Sequence, residues 1–508
     1  MQTSFTINYI KIYIWQGVSL LLNFLSMFIV LPYLTNKPEI FGIYSVCISV
    51  SIFLSYADLG FMGAGQKYAA EHFARGETNQ EIHVIGFTSF ILVIFLLLFS
   101  MVLFYLSLHP WVLIKNLTAG EESWIASALL MILALSTPVT FLQRVALMIF
   151  GIRLEGYVIQ RTNIIASLIS ILSVLWFFNN EQYHIVGYFL FVQMVNLLAA
   201  IISWIIALNR YNYNFKMLAT SIRFSKTLFS KTKKLAFTSL YIIFTLILYY
   251  ELDPAIIGKF IGAKQVAIYA IGLSLLSFFR SILGILFSPF NSRFNHFIGV
   301  KDIAGLKAFY LHIIIILAPL VILPILNITL LAKPLILSWV GINYAESVEI
   351  AQYLVLCNLF AFITYPTGML LVAEERINVM NIVATLLPVV YWSGIVLTYS
   401  FFGLKTFAIF KLVIFGMLVM VYYIITLKFL NMNFTQLSKE ILAPILLPAI
   451  FIMVAAVIIE GFLPCEKSKL NLLIVTTTAG CLIFVSFILQ YFSSARIRRY
   501  TSKILQQF

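Results

Sequence analysis

Apolar residues run along this chain in blocks of 17 to 29, separated by short stretches that hold most of the charges, glycines and turns. About 20 apolar residues, rising 1.5 Å each as a helix, cross the hydrocarbon core of a bilayer. Fourteen such blocks are read, near 12–34, 40–62, 84–108, 123–151, 162–178, 185–208, 232–250, 266–292, 309–331, 350–372, 378–399, 406–429, 441–462 and 470–492. Their apolarity is continuous and lacks the alternation of an outer-membrane strand, so helices are expected and not a barrel. The expected fold class is an all-α polytopic membrane protein of about 14 transmembrane helices.

Composition narrows the function. Of 508 residues, 62% are hydrophobic and 10% charged, with a mean hydropathy of +1.01. A soluble chain carries about a quarter charged residues, so a soluble enzyme, a nucleic-acid binder and a disordered regulator are all excluded. Cys47, Cys357, Cys465 and Cys481 form no CxxC pair and no metal spacing. Lys11 precedes a long apolar run with no cleavage pattern, so the first helix is expected to be retained.

The net charge of +14 sets topology. With the N-terminus placed in the cytoplasm, 22 of the 33 Lys and Arg fall in cytoplasmic loops and tails, 8 fall outside, and Arg144, Arg280 and Lys411 remain within spans. This bias places both termini inside, and the basic loops then face anionic headgroups, with no part for nucleic acid. The basic stretch near 209–231 separates two sets of six helices. It suggests an N-terminal bundle over 1–215, a second over 216–430, and two further helices with a basic tail over 431–508. A faint repeat at an offset of 225 pairs Gly42-Ile43-Tyr44 with Ala267-Ile268-Tyr269, Ser49 with Ser274 and Phe53 with Phe278.

No catalytic motif is present: there is no HExxH, Walker A, nucleophile elbow or dinucleotide turn. The chain is therefore not expected to be an enzyme. Charges inside spans, each costing about 2.5–3.5 kcal/mol on insertion scales, mark candidate substrate-binding positions. Arg280 is read as mid-span, on a stripe of Tyr269, Leu273, Ser277, Gly284, Phe287 and Asn291 that suits a water-filled cavity. Asp58 continues a stripe from Ser51 and Ser55, and a carboxylate ending a helix before Gly60 explains it equally well. Arg144 follows Ser136, Thr137 and Thr140, where snorkelling is the alternative. Lys411 lies about 9 Å inside its helix and either snorkels or lines a cavity. Uncharged stripes add Gln16 and Asn23 on the first helix, Tyr241 on the seventh, and Asn378, Asn381 and Thr385 on the eleventh. Elsewhere such residues are most often glue between helices.

Short motifs carry a resemblance. Glu39-Ile40-Phe41-Gly42-Ile43-Tyr44, then Ser55-Tyr56-Ala57-Asp58-Leu59-Gly60 and Gly65-Gln66-Lys67-Tyr68-Ala69, resemble the second helix of Wzx-type polysaccharide flippases. Asp253-Pro254-Ala255-Ile256-Ile257-Gly258, continuing to Val266-Ala267-Ile268-Tyr269, is similar to that family's link between helices seven and eight. The family belongs to the multidrug/oligosaccharidyl-lipid/polysaccharide (MOP) superfamily. The resemblance implies two six-helix bundles around a V-shaped cavity, plus two C-terminal helices. It also implies translocation of undecaprenyl-pyrophosphate-linked oligosaccharide across the bacterial inner membrane, among membrane lipids and other polysaccharide-assembly membrane proteins. No cofactor is expected beyond a coupling ion, H+ or Na+. Three in-span cations against one carboxylate agree with a pyrophosphate cargo, to which arginine offers bidentate donors. A multidrug or organic-cation antiporter of the same superfamily is the main rival; a lipid II flippase or a polysaccharide polymerase fits less well.

Overall fold

The computed structural model describes residues 2–55, 58–117, 120–179, 183–211, 213–494 and Arg498. Among them there are helices and no strands. The chain packs as two compact units, Met1–Ala267 and Ile268–Phe508.

The first unit holds α1 (Gln2–Leu34), α2 (Pro38–Ser55), α3 (Phe61–Ala74), α4 (Thr78–Leu108), α5 (Glu121–Leu135), α6 (Thr137–Ile152), α7 (Tyr157–Phe177) and α8 (Ile185–Tyr211). After them come α9 (Phe215–Ser221), α10 (Lys226–Tyr250), α11 (Asp253–Phe260) and the first turn of α12 (Ala263–Phe287). The block read as one span over 40–62 is broken. Leu59 and Gly60 both take positive φ, 48° and 77°, which ends α2 and starts α3 in a new direction. Gly60 has no alternative, because a side chain there would strike the Ala236 carbonyl of α10. The fourth block is also broken: α5 and α6 meet at a 40° bend where Thr137 and Pro138 begin α6. The fifth block, read as short, is the 21-residue α7.

The boundary between units falls inside α12, beyond the basic loop that divides the sequence into sixes. The reason lies in packing. Phe229 of α10 stacks on Phe61 at 5.7 Å, and Ala236 joins Phe61, Ala64, Phe87 and Ile91 in one buried cluster. Gly42 of α2 lies against the backbone of Ala263 so closely that no Cβ would fit.

The second unit continues with α13 (Phe290–Gly299), α14 (Ile303–Leu330), α15 (Ala332–Val340), α16 (Ser347–Leu356), α17 (Ala361–Ala373), α18 (Ile377–Phe402) and α19 (Lys405–Leu430). It ends with α20 (Phe434–Leu442), α21 (Leu446–Glu460) and α22 (Lys469–Ser493). α14 is the most buried of the long apolar helices, and α16, α17, α21 and α22 pack around it. A buried hydroxyl cluster ties α14, α17 and α19 together: Tyr310 Oη lies 2.8 Å from both Thr367 Oγ1 and Thr426 Oγ1. α16 meets α17 at 45°, and α20 meets α21 at 59°. The last two long helices dock on α14 and α15 through Leu331, Ala456, Ala479 and Leu482, and Asn327 Nδ2 donates to the Ala479 carbonyl at 3.1 Å.

Among the described residues, ten helices are long and apolar enough to cross a membrane, and up to 13 if each bent pair is one span. The shorter apolar helix Pro38–Leu54 occupies the remaining block. Every one of the fourteen apolar blocks is thus helical, and the chain is an all-α polytopic membrane protein.

Candidate functional site

Arg280 sits in α12, in the second unit. Measured along α12, it lies seven residues before Phe287, about 10 Å from the helix end. The apolar block runs on to 292 and would set Arg280 deeper, but Ser288 and Pro289 intervene before α13 starts. The face it shares is closed at both ends and open in the middle. Tyr269 and Phe287 are fully buried, whereas Leu273, Ser277, Arg280 and Gly284 are half-buried. The Arg280 charge acts on Tyr365 of α17, whose ring stacks on Phe287 at 4.9 Å. Tyr365 is the member of this site that sequence reasoning missed. It belongs to a different apolar block, and nothing in its own stripe separates it from ordinary interhelical tyrosines.

Lys411 of α19 is fully buried, its ammonium 5.6 Å from the centre of the Tyr391 ring. Tyr391 in turn donates to the Phe407 carbonyl at 3.4 Å, and Trp392 and Tyr269 set their ring edges against Phe407. With no exposed surface, the Lys411 side chain neither reaches the surface by snorkelling nor lines an open cavity. An ammonium beside an aromatic face is held by the ring quadrupole as well as by its polar partners.

In the first unit, Asp58 occupies the break between α2 and α3. Its Oδ2 accepts from the Met62 backbone N–H at 3.1 Å, so the carboxylate serves the opening turn of α3. Ser55, on the same stripe, has a side chain outside the described residues. Arg144 is half-buried in α6, Gln16 is half-buried in α1 and Asn23 is exposed. The Gln16 Oε1 is itself buried, with no hydrogen-bond partner among the described residues. Tyr241 of α10 is 41% exposed. Arg280 and Ser277 therefore share one helical face, while Arg144, Gln16, Asn23 and Tyr241 belong to three helices of the first unit, α6, α1 and α10, and Asp58 to a helix break there.

A second charged cluster went unread. Glu81, at the start of α4, is almost wholly buried and bound on both oxygens by Arg153, with Nη1 to Oε1 at 2.8 Å and Nη2 to Oε2 at 3.1 Å. Tyr213 donates its hydroxyl to the same carboxylate. The guanidinium lies 4.5 Å over Phe73 and 4.3 Å over Tyr211. Burial works against the Arg153 charge, but the Glu81 carboxylate and the Tyr213 phenol together outweigh it and raise the pKa. Burial likewise pushes the Tyr213 phenol well above its ordinary range. Beside this cluster, Glu155 takes Arg210 at 2.9 Å and the Tyr211 hydroxyl at 2.8 Å. The sequence treated Arg153 and Arg210 only as loop charges that fix topology. A pairing across 72 residues of sequence leaves no local signal.

The helices and their breaks define an all-α polytopic fold. No protein-family model and no curated relative matches the sequence. Among solved structures, the chain is similar to a lipid II flippase MurJ in an inward closed conformation. The TM-score is 0.64 at 12% identity, covering 96% of this chain and 99% of that one. It is also similar to an inward-facing multidrug resistance MATE family transporter of the MOP superfamily, with a TM-score of 0.63 at 11% identity over 84% and 96% of the two chains. A eukaryotic MATE transporter follows at 0.52 and 14%, over 84% and 99%. At these identities the likeness establishes the fold, and chemistry must come from the residues.

Proposed function

We propose that this protein is a flippase of lipid-linked oligosaccharides, carrying an undecaprenyl-pyrophosphate-linked repeat unit from the cytoplasmic to the outer leaflet of a bacterial inner membrane by alternating access. The fold it shares with MOP transporters supports the transport class. The observation that carries the substrate reading is the half-open face of α12, where Arg280 and Ser277 lie one turn apart between buried Tyr269 and Phe287, and Tyr365 stacks on Phe287 at 4.9 Å. A guanidinium there offers a planar fork to phosphate oxygens, and a neighbouring hydroxyl and phenol suit sugar hydroxyls. Lys411 adds a second buried cation in the same unit. A cation antiporter needs carboxylates available to its cargo. Here the Asp58 carboxylate serves α3 and that of Glu81 is bound by Arg153. In this reading both termini are cytoplasmic, the partners are membrane lipids and other polysaccharide-assembly proteins, and no cofactor takes part beyond a coupling H+ or Na+.

The test is translocation of lipid-linked oligosaccharide in proteoliposomes. Arg280→Gln should abolish it while leaving membrane abundance nearly unchanged, and Arg280→Lys should keep part of it. Normal transport by Arg280→Gln, or its disappearance from the membrane, would overturn the proposed role of Arg280.

A further inference from the structure

On the first unit, the N-terminus of α5 meets the C-terminus of α7 and the N-terminus of α8. A cup of about 490 Å³ opens there, lined by Glu121, Trp124, Trp176, Tyr183 and His184 among others. A trough of about 420 Å³ adjoins it and follows α7 and α8, walled by Ile169, Leu172, Phe177 and Phe191. Trp176 and Phe177 line both, so a partly polar cup passes directly into an apolar trough. The two indoles stand well out, Trp176 at 81% and Trp124 at 63% exposed. At the rim, Lys37 lies 3.7 Å from Glu121 and 5.4 Å from the centre of the Tyr183 ring.

We propose that this groove binds a single phospholipid with a phosphoethanolamine headgroup, a site distinct from the transport residues of α12. The trough lies on membrane-spanning helices, so an acyl chain is the apolar group at hand to fill it. The charges choose the headgroup. A phosphoethanolamine carries a primary ammonium and a phosphate a few bonds apart, and the rim offers Glu121 to the first and Lys37 to the second. Exposed indole faces favour an ammonium over a neutral glycerol or sugar. The Lys37–Glu121 pair does not compete strongly, because an exposed ion pair contributes little and opens readily. Trp and Tyr at the end of a span also mark the headgroup level of a bilayer.

Native mass spectrometry of the full-length protein, offered phosphatidylethanolamine, phosphatidylglycerol and glucosyl-diacylglycerol with identical chains, tests this. One phosphatidylethanolamine should be retained about fivefold over either competitor, as expected for one cation–aromatic contact plus a carboxylate. Glu121→Gln should bring it down to the phosphatidylglycerol level, and Leu172→Trp, which fills the trough, should lower retention of all three. Both side chains are well exposed, at 69% and 67%, and a thermal unfolding curve checks that the fold is kept. Equal retention of phosphatidylglycerol, preference for the glycolipid, or retention unmoved by both variants would each overturn the site.

Discussion

Glu81 has 1% of its surface exposed, and replacing it with Gln would leave the Arg153 guanidinium buried among aromatic rings without its carboxylate. Removing one partner of a buried pair costs about 3–5 kcal/mol, whereas removing both into apolar residues can be near neutral. Glu81→Gln should therefore lower the thermal midpoint in detergent sharply, and Glu81→Leu with Arg153→Met should recover most of the loss. Asp58 gives a contrasting case. Asn can accept the same Met62 N–H, so Asp58→Asn should cost no more than about 1 kcal/mol, the size of a typical cap, and should keep transport within a few-fold. Loss of transport with the protein intact would return Asp58 to a proton- or cargo-binding role. In-span charges were legible as exceptions to an apolar background, and so Arg280, Arg144 and Lys411 stood out. What surrounds them was not: Tyr365 beside Arg280 and Tyr391 beside Lys411 come from other helices, and only folding puts them there.

At the scale of elements, hydropathy located every long apolar helix, because crossing a bilayer requires a long apolar run, and passed over the short connecting helices such as α9, α11 and α15. It was blind to where those runs break. The second, fourth, eighth, tenth and thirteenth blocks each run over parts of two helices, and all five read as single stretches, because a break inside protein can keep its residues apolar. Gly60 is the one break where sequence and geometry combine into a firm expectation. Gly60→Ala forces a side chain into positive φ and onto the α10 backbone, for which about 1–3 kcal/mol is the usual cost of the backbone strain alone. The variant should unfold at lower temperature than Gly63→Ala, three residues on, where a Cβ meets nothing.

For the whole molecule, the charge bias makes a topological prediction that can be read in cells. Reporter fusions after Phe178 and after Lys467 should report an extracytoplasmic site, and fusions within 216–234 a cytoplasmic one. An inverted pattern would also exchange the leaflets assigned to the transport cycle. The substrate reading makes a second prediction: expression in a drug-sensitive strain should confer no resistance to lipophilic cations, and efflux of such dyes that requires Asp58 would favour the antiporter. The packing of α10 on α3 has a consequence for how the chain is made. α10 is the least apolar of the ten long helices, and it completes the cluster around Phe61 and Phe87. As the polypeptide leaves the ribosome, α3 and α4 must wait with that face uncovered until some 130 further residues have been synthesised. A nascent chain stalled before Lys226 should thus be an early client of membrane quality control, and one that has released Tyr250 should escape it.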